Sequence, residues 1–374
     1  MLNWPRHQRG QAIEYVWPPF GDLAYATGPD TLSALRRAGF TFIRLTLDPA
    51  IFMASDEERR RSLTAIALSR MRELLGAGFE VILDLHPVAE NPAFAPARLM
   101  APGFQGFSAY IDTVGRLAAA LQTLPRDRVA LELMNEPQLD GPDSAIRWRH
   151  MLEGLHAAAR SAAPDLALVL SGQNWSGFRE LTLVDVAPFR GSNVFYTFHY
   201  YEPHIFTHQG VSKTTPERYF DGLLWPPQIS QKGQMATQLH QKIFADPTLD
   251  AAQRTETAAR AERSLSRYMD VDDAPGAVAR DFATVARWAK ANGITPQRVL
   301  LGEFGANQLW PETPAGHRSR IDWLTTIRKA AEANGFGWAY WALKDVSGSA
   351  GGFKLLLDGA SAQFDGDVLR ALLD

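Results

Sequence analysis

The chain has 374 residues, with 38 basic and 41 acidic side chains and no cysteine. At 46% hydrophobic and 21% charged it has the balance of a folded globular chain, which excludes a long disordered or low-complexity polypeptide. A net charge of −3 gives no electrostatic footprint for nucleic acid or an anionic membrane, and without cysteine there is no disulfide, thiolate metal site or thiol nucleophile.

In chain order, short apolar runs alternate with helix-length amphipathic segments. The runs are Phe40 to Leu47, Val81 to Leu85, Val129 to Met134, Leu166 to Leu170, Val194 to Phe198, Val299 to Leu301 and Phe336 to Trp341. They read as strands buried on both faces, as in a parallel sheet. The helices are expected at Thr31 to Ala38, Ser62 to Ala77, Phe107 to Leu124, Ser144 to Ala163, Arg280 to Asn292 and His317 to Asn334. This alternation predicts an α/β fold. An eighth strand near Ala12 to Val16 would close a (β/α)8 TIM barrel; a doubly wound sheet is the alternative. No Gly-x-Gly-x-x-Gly and no lysine-bearing phosphate loop supports the latter with a nucleotide.

Length alone suggests roughly two domains, yet one α/β barrel with insertions reaches this size. His199 and Glu303 are 104 residues apart, far more than neighbouring units need, so a partly helical insertion is expected at about 202–279, in the loop after the sixth strand. After Trp341 the remaining 33 residues leave room for a closing helix near Val368 to Leu373. The expectation is a single catalytic domain over 1–374, monomeric, with no apolar run near the roughly 20 residues that span a bilayer. The start resembles no secretory leader. A secreted or periplasmic home is expected if a leader has been removed, and a cytoplasmic one otherwise.

Polar residues interrupt or end these strands on one side. Arg44 follows Phe42-Ile43, His86 ends Ile82 to Leu85, and Asn135-Glu136-Pro137 follows Leu131 to Met134. His199 and Tyr201 end Tyr196 to Phe198, Glu303 follows Leu300 to Gly302, and Trp341 ends Gly337 to Tyr340. Each has a bland reading: a structural ion pair for Arg44, a satisfied core histidine, a turn with a helix-start carboxylate for Asn135-Glu136, core packing for Trp341. Their coincidence at strand C-terminal ends, where barrels build active sites, favours function. Two glutamates on separate strands suit glycoside hydrolysis, which needs one carboxyl to protonate the leaving oxygen and one carboxylate opposite it, with no cofactor and no metal. Arg44 is the candidate to hold one of them ionised.

These motifs resemble glycoside hydrolase family 5, the cellulase-type retaining β-glycanases. The resemblance runs from about Thr31 to Leu343 and rests on Asn135-Glu136-Pro137, Phe198-His199-Tyr200-Tyr201, Gly302-Glu303-Phe304-Gly305 and Trp338 to Trp341. It maps the family's active-site positions onto Arg44, His86, Asn135, Glu136, His199, Tyr201, Glu303 and Trp341. It implies Glu136 as acid then base, Glu303 as nucleophile, and Asn135 on the sugar 2-OH. Tyr201 would orient Glu303, Arg44 would favour its anion, His86 and His199 would position Glu136 and the sugar, and Trp341 would floor the sugar before a cis peptide. Two departures bear on substrate choice: the segment near Ala12 lacks the family's Gly-x-Asn start, and Leu45-Thr46-Leu47-Asp48-Pro49 follows Arg44.

Aromatic faces stack on sugars, so Trp17, Trp175, Trp225 and Trp310 are candidate platforms in mouth loops, each with a packing role as its alternative. Trp148, Trp288 and Trp323 lie in helices and read as core. Glu202 to Gly210 resembles a loop of bacterial endoglucanases, making β-1,4-glucan the first expectation as partner. β-Mannan, mixed-linkage glucan, an exopolysaccharide or transglycosylation on the same site are alternatives. Of other classes, a metal-dependent barrel hydrolase would use His86, His199, His204 and His208, but no His-x-His opens a first strand and nothing completes a ligand set. A silent carbohydrate binder would not need both glutamates.

Overall fold

The computed structural model describes residues 4, 6–9, 12–19, 27–89, 91–101, 103–139, 141–211, 214–309, 312–344, 352–358 and 361–374. An antiparallel ribbon comes first, β1 (Arg6–Arg9) with β2 (Ala12–Tyr15). The sheet strands follow: β3 (Phe42–Leu47), β4 (Glu80–Leu85), β5 (Val129–Glu132), β6 (Ala167–Ser171), β7 (Val194–His199), β8 (Val299–Phe304) and β9 (Gly337–Tyr340). They stand in sequential order in one seven-stranded sheet, and every pairing from β3 to β7 is parallel. Sequential order with helical crossovers is the (β/α)8 barrel fold, and it excludes the doubly wound sheet, whose order reverses at a switch point.

The eighth strand expected near Ala12 to Val16 is a correction. Ala12–Tyr15 pairs with Arg6–Arg9 in a sheet of its own. The physical reason is in its sequence: Glu14 alternates with Ile13 and Tyr15, a pattern for a one-sided ribbon rather than a strand buried on both faces.

Two compact units divide the chain. The first holds residues 1–199, 287–302 and 359–361; the second holds 200–286, 303–358 and 362–374. In the first, β5 and β6 are buried at every position. Its long helices are Glu57–Gly76, Gly106–Leu121 and Ser144–Ala162, the first capped by Asp56 accepting from the Arg59 amide. Trp148 is buried and donates to the Ser171 carbonyl at 2.8 Å, and Trp288 packs edge-on to Tyr196.

In the second unit, Lys232–Ala245 and Ala251–Met269 form a helix pair, the latter starting in a capping box between Asp250 and Gln253. Phe206 packs on Trp225 and Tyr268, and Leu239 and Leu265 are also buried in this unit. Helix Pro314–Ala333 buries Trp323, whose indole donates to the Glu202 carbonyl. A second ribbon, β10 (Leu356–Asp358) with β11 (Gln363–Phe364), leads to the closing helix Gly366–Leu373. Among the described residues no helix is long and apolar enough to cross a membrane.

Candidate active site

Register explains the first cluster. Asp84 pairs with Glu132 across β4 and β5, so both side chains leave the same face, and Arg44 lies two residues before Thr46, the β3 partner of Asp84. The Arg44 side chain is 4% exposed, and those of Asp84 and Glu132 are 0% exposed. Arg44 Nε donates to Glu132 Oε2 at 2.7 Å and Nη2 to Oε1 at 2.8 Å, a two-pronged grip. Nη2 also donates to Asn135 Oδ1 at 2.8 Å and lies 3.1 Å from Asp84 Oδ2.

His86 joins the same cluster. Its Nδ1 is 2.7 Å from Asp84 Oδ2, and its Nε2 is 3.2 Å from Asn135 Nδ2. Burial alone would raise the Asp84 carboxyl, but the Arg44 guanidinium beside it and the hydrogen bond from His86 outweigh it and hold Asp84 below its ordinary value. Tyr110 is pushed the other way, well above the usual phenol range, by burial and then by the charges of Asp84, Glu132 and Asp48. It therefore stays a neutral donor, to the Leu133 carbonyl at 2.9 Å.

Asn135 and Glu136 follow β5, tied by the Asn135 amide to the Leu85 carbonyl at 2.8 Å. Glu136 sits at φ 43°, in the left-handed region that a non-glycine residue enters only when its surroundings demand it. Those surroundings are visible: its amide donates to Ser176 Oγ at 3.2 Å, and the Trp175 amide to the Pro137 carbonyl at 3.2 Å. Asn174, Trp175 and Ser176 are themselves left-handed, at φ 53°, 64° and 54°. Glu136 Oε1 lies 2.9 Å from His199 Nδ1, at the end of β7.

In the second unit, Glu303 is buried and its Oε2 accepts from the Tyr201 hydroxyl at 3.0 Å. The Glu303 carbonyl accepts from the Tyr200 amide at 3.0 Å, so Tyr201 is held by its neighbour's backbone as well. The Tyr201 ring meets His208 edge-on at 5.0 Å, and Thr207 Oγ1 donates to the Tyr201 carbonyl at 2.6 Å. Burial, reinforced by the His204 ring stacked 3.8 Å away, pushes the His208 imidazole well below its usual range. Trp341 follows β9, its amide donating to the Phe304 carbonyl at 2.9 Å, and the Trp341–Ala342 peptide is cis, as the resemblance implies.

The first unit thus brings together Arg44, His86, Asn135, Glu136 and His199, and the second Tyr201, Glu303 and Trp341. Trp175 is 53% exposed and Trp17 39%, the latter with the Arg59 guanidinium 5.3 Å from its ring. Trp225 is 4% exposed against Phe206, so the open platform expected there is corrected: its ring fills the core of the second unit. Trp310 lies outside the described residues.

Each of the four histidines weighed as metal ligands has a protein partner. His86 faces Asp84 and Asn135, and His199 faces Glu136. His204 faces Glu217, and His208 the Thr207 hydroxyl. Sequence reasoning missed Asp84, Glu132 and Ser176. A carboxylate inside Leu83-Asp84-Leu85 or Leu131-Glu132-Leu133 was the available signal, because a buried charge demands a partner.

The model of the family described as Cellulase (glycosyl hydrolase family 5) matches residues 16–347. Endoglucanase 3 of Fibrobacter succinogenes is 24% identical over 249 residues, 66% of this chain and 33% of that protein. The chain thus matches about a third of that relative's length. A structure of Thermotoga maritima Cel5A in complex with cellobiose is similar at TM-score 0.67 and 19% identity, covering 94% of this chain and 92% of that one. The cellulose synthase subunit Z from Clostridioides difficile follows at TM-score 0.65 and 20% identity, covering 93% and 92%.

Proposed function

The chain belongs to the cellulase family, glycosyl hydrolase family 5, and from this we propose a retaining, endo-acting hydrolase of β-1,4-glucan. The observation that carries the reading is a pair of glutamates at the ends of different barrel strands, each with a partner suited to one role. Glu136 has a histidine nitrogen at 2.9 Å to manage its proton. Glu303 accepts a hydrogen bond from the Tyr201 phenol at 3.0 Å, which holds its carboxylate in place for attack.

In this reading Glu303 attacks the anomeric carbon while protonated Glu136 gives its proton to the departing glycosidic oxygen. The glycosidic C–O bond breaks and a glycosyl ester of Glu303 forms. Glu136, now ionised, takes a proton from water as the water oxygen attacks the same carbon and frees Glu303. Two displacements restore the starting anomeric configuration. Asn135 donates to the sugar 2-OH, Trp341 floors the cleavage subsite, and the exposed faces of Trp17 and Trp175 serve as outer platforms. The name of the Fibrobacter relative, an endoglucanase, supports a glucan as first choice of substrate.

The test is turnover on carboxymethyl-cellulose, barley β-glucan, glucomannan, galactomannan and laminarin, with product sizing. Endo cleavage fastest on β-1,4-glucan is expected. Glu136→Ala and Glu303→Ala should each lower kcat by about a thousandfold or more. Azide should restore Glu303→Ala on an activated aryl glycoside, giving the glycosyl azide of inverted configuration. Either variant retaining activity within a few-fold would end the assignment.

A further inference from the structure

Hydrogen-bond polarity along the line Arg44–Asn135–His86–Asp84 follows from Arg44. A guanidinium only donates, so the Asn135 atom 2.8 Å from Arg44 Nη2 is the amide oxygen. The amide nitrogen then faces His86 Nε2 at 3.2 Å and must donate to it. His86 Nε2 is therefore a bare acceptor, its proton sits on Nδ1, and that proton goes to Asp84 Oδ2 at 2.7 Å. One end of the chain is Glu132, which grips Arg44 through both carboxylate oxygens. The other end is Asp84. Asn135 is 3% exposed, and its second Nδ2 proton has no partner among the described residues.

We propose that Glu132 and Asp84 are positioning residues that fix the orientation of the Asn135 amide, so that its second Nδ2–H is presented to the 2-OH of the sugar undergoing cleavage. Without the Glu132 grip Arg44 loses both of its prongs and is freer to turn, and the amide to flip; a flipped amide offers the sugar oxygen lone pairs in place of an N–H. Without the Asp84 end, His86 can carry its proton on Nε2, which opposes the Asn135 donor. The effect reaches substrate only through Asn135. This rests on the reading of Asn135 given above.

The experiment compares two activated aryl β-cellobiosides, one carrying and one lacking the 2-OH of the sugar whose bond is cleaved. Wild type should prefer the hydroxylated substrate. In Glu132→Gln, which breaks one prong of the grip, and in Asp84→Asn, kcat/KM should fall by about tenfold or more on the hydroxylated substrate and by much less on the deoxy one. On an Asn135→Ala background, Glu132→Gln should add almost nothing. Equal losses on both substrates, or additive losses, would overturn the proposal, because a merely structural role lowers both alike. Wild type also gives a test that needs no variant: the 15N shifts of His86 should report a protonated Nδ1 and a bare Nε2 at neutral pH. A proton on Nε2 overturns the polarity. If wild type fails to distinguish the two substrates while His86 has the expected tautomer, the Asn135 reading fails and the network stands.

Discussion

Gly302 shows how little freedom a single position has beside the glutamates. It precedes Glu303, and a Cβ there would run into Thr197 Oγ1 and approach the His199 ring at 3.5 Å. Thr197 is fully buried and stiff at χ1, so it has nowhere to turn. Gly302→Ala should therefore cost about 1–3 kcal/mol of stability by overpacking. The His199 ring at 3.5 Å is an ordinary contact, so the strain falls on Thr197 and the strand before Glu303; thermal melts check the loss, and an unchanged Tm would show that Thr197 gives way. At this scale the residues at strand ends were legible from sequence, since a polar side chain closing an apolar run has few structural uses. Asp84 and Glu132 were not, because a motif reading looks to the ends of strands while their partner, Arg44, comes from a different strand. Trp225 was not legible either: an indole in a Trp-Pro-Pro segment gives no sign of which face the following helices cover.

The elements were legible where burial on both faces leaves a continuous apolar run, as at β6. They were misread where a run of four residues alternates, as at Ala12–Tyr15, whose partner strand is defined by the chain turn rather than by composition. The last helix carries a pH dependence that no pattern announces. Gly366–Leu373 is clamped to Pro314–Ala333 by His317, whose Nδ1 is 3.0 Å from Glu312 and whose Nε2 is 2.7 Å from Asp367. Beside it Arg320 binds Glu312 and Asp365, both at 3.0 Å. Burial alone would lower the His317 imidazole, but its hydrogen bonds to Glu312 and Asp367 outweigh this and hold it above its usual range. Its contribution is full below about pH 6.5 and is lost as pH rises through the raised native value. The hydrogen bond from His317 depresses Asp367, whose contribution stands above the ordinary carboxylate range and fails as pH falls through the lowered value. The clamp is thus strongest between about pH 4 and 6.5. His317→Gln should lower Tm near pH 5.5 and by clearly less near pH 8.5; a gap that stays constant or widens with pH would show that His317 is not charged in the fold.

For the whole molecule the charge balance is the informative quantity. The chain carries 38 basic and 41 acidic side chains. Buried charges are largely spent on one another, as in the Arg44 and Arg320 clusters. Long-range steering needs a field of one sign over a cleft, and a molecule so nearly balanced supplies little of it. A neutral polysaccharide needs none: it binds by aromatic stacking and short hydrogen bonds, both weakly dependent on ionic strength. Salt therefore separates substrate classes that sequence leaves together. On neutral cello-oligosaccharides, kcat/KM should change by less than about twofold as NaCl rises from roughly 10 mM to 0.3 M, where the screening length shrinks from about 30 Å to under 10 Å. Carboxymethyl-cellulose, a polyanion, should respond more, because salt relieves its repulsion from a net-negative protein and its activity rises. A neutral substrate losing activity steeply with salt would mean that charged groups hold the sugar. An anionic glycan preferred at low salt over every neutral one would replace β-1,4-glucan as the substrate of this site.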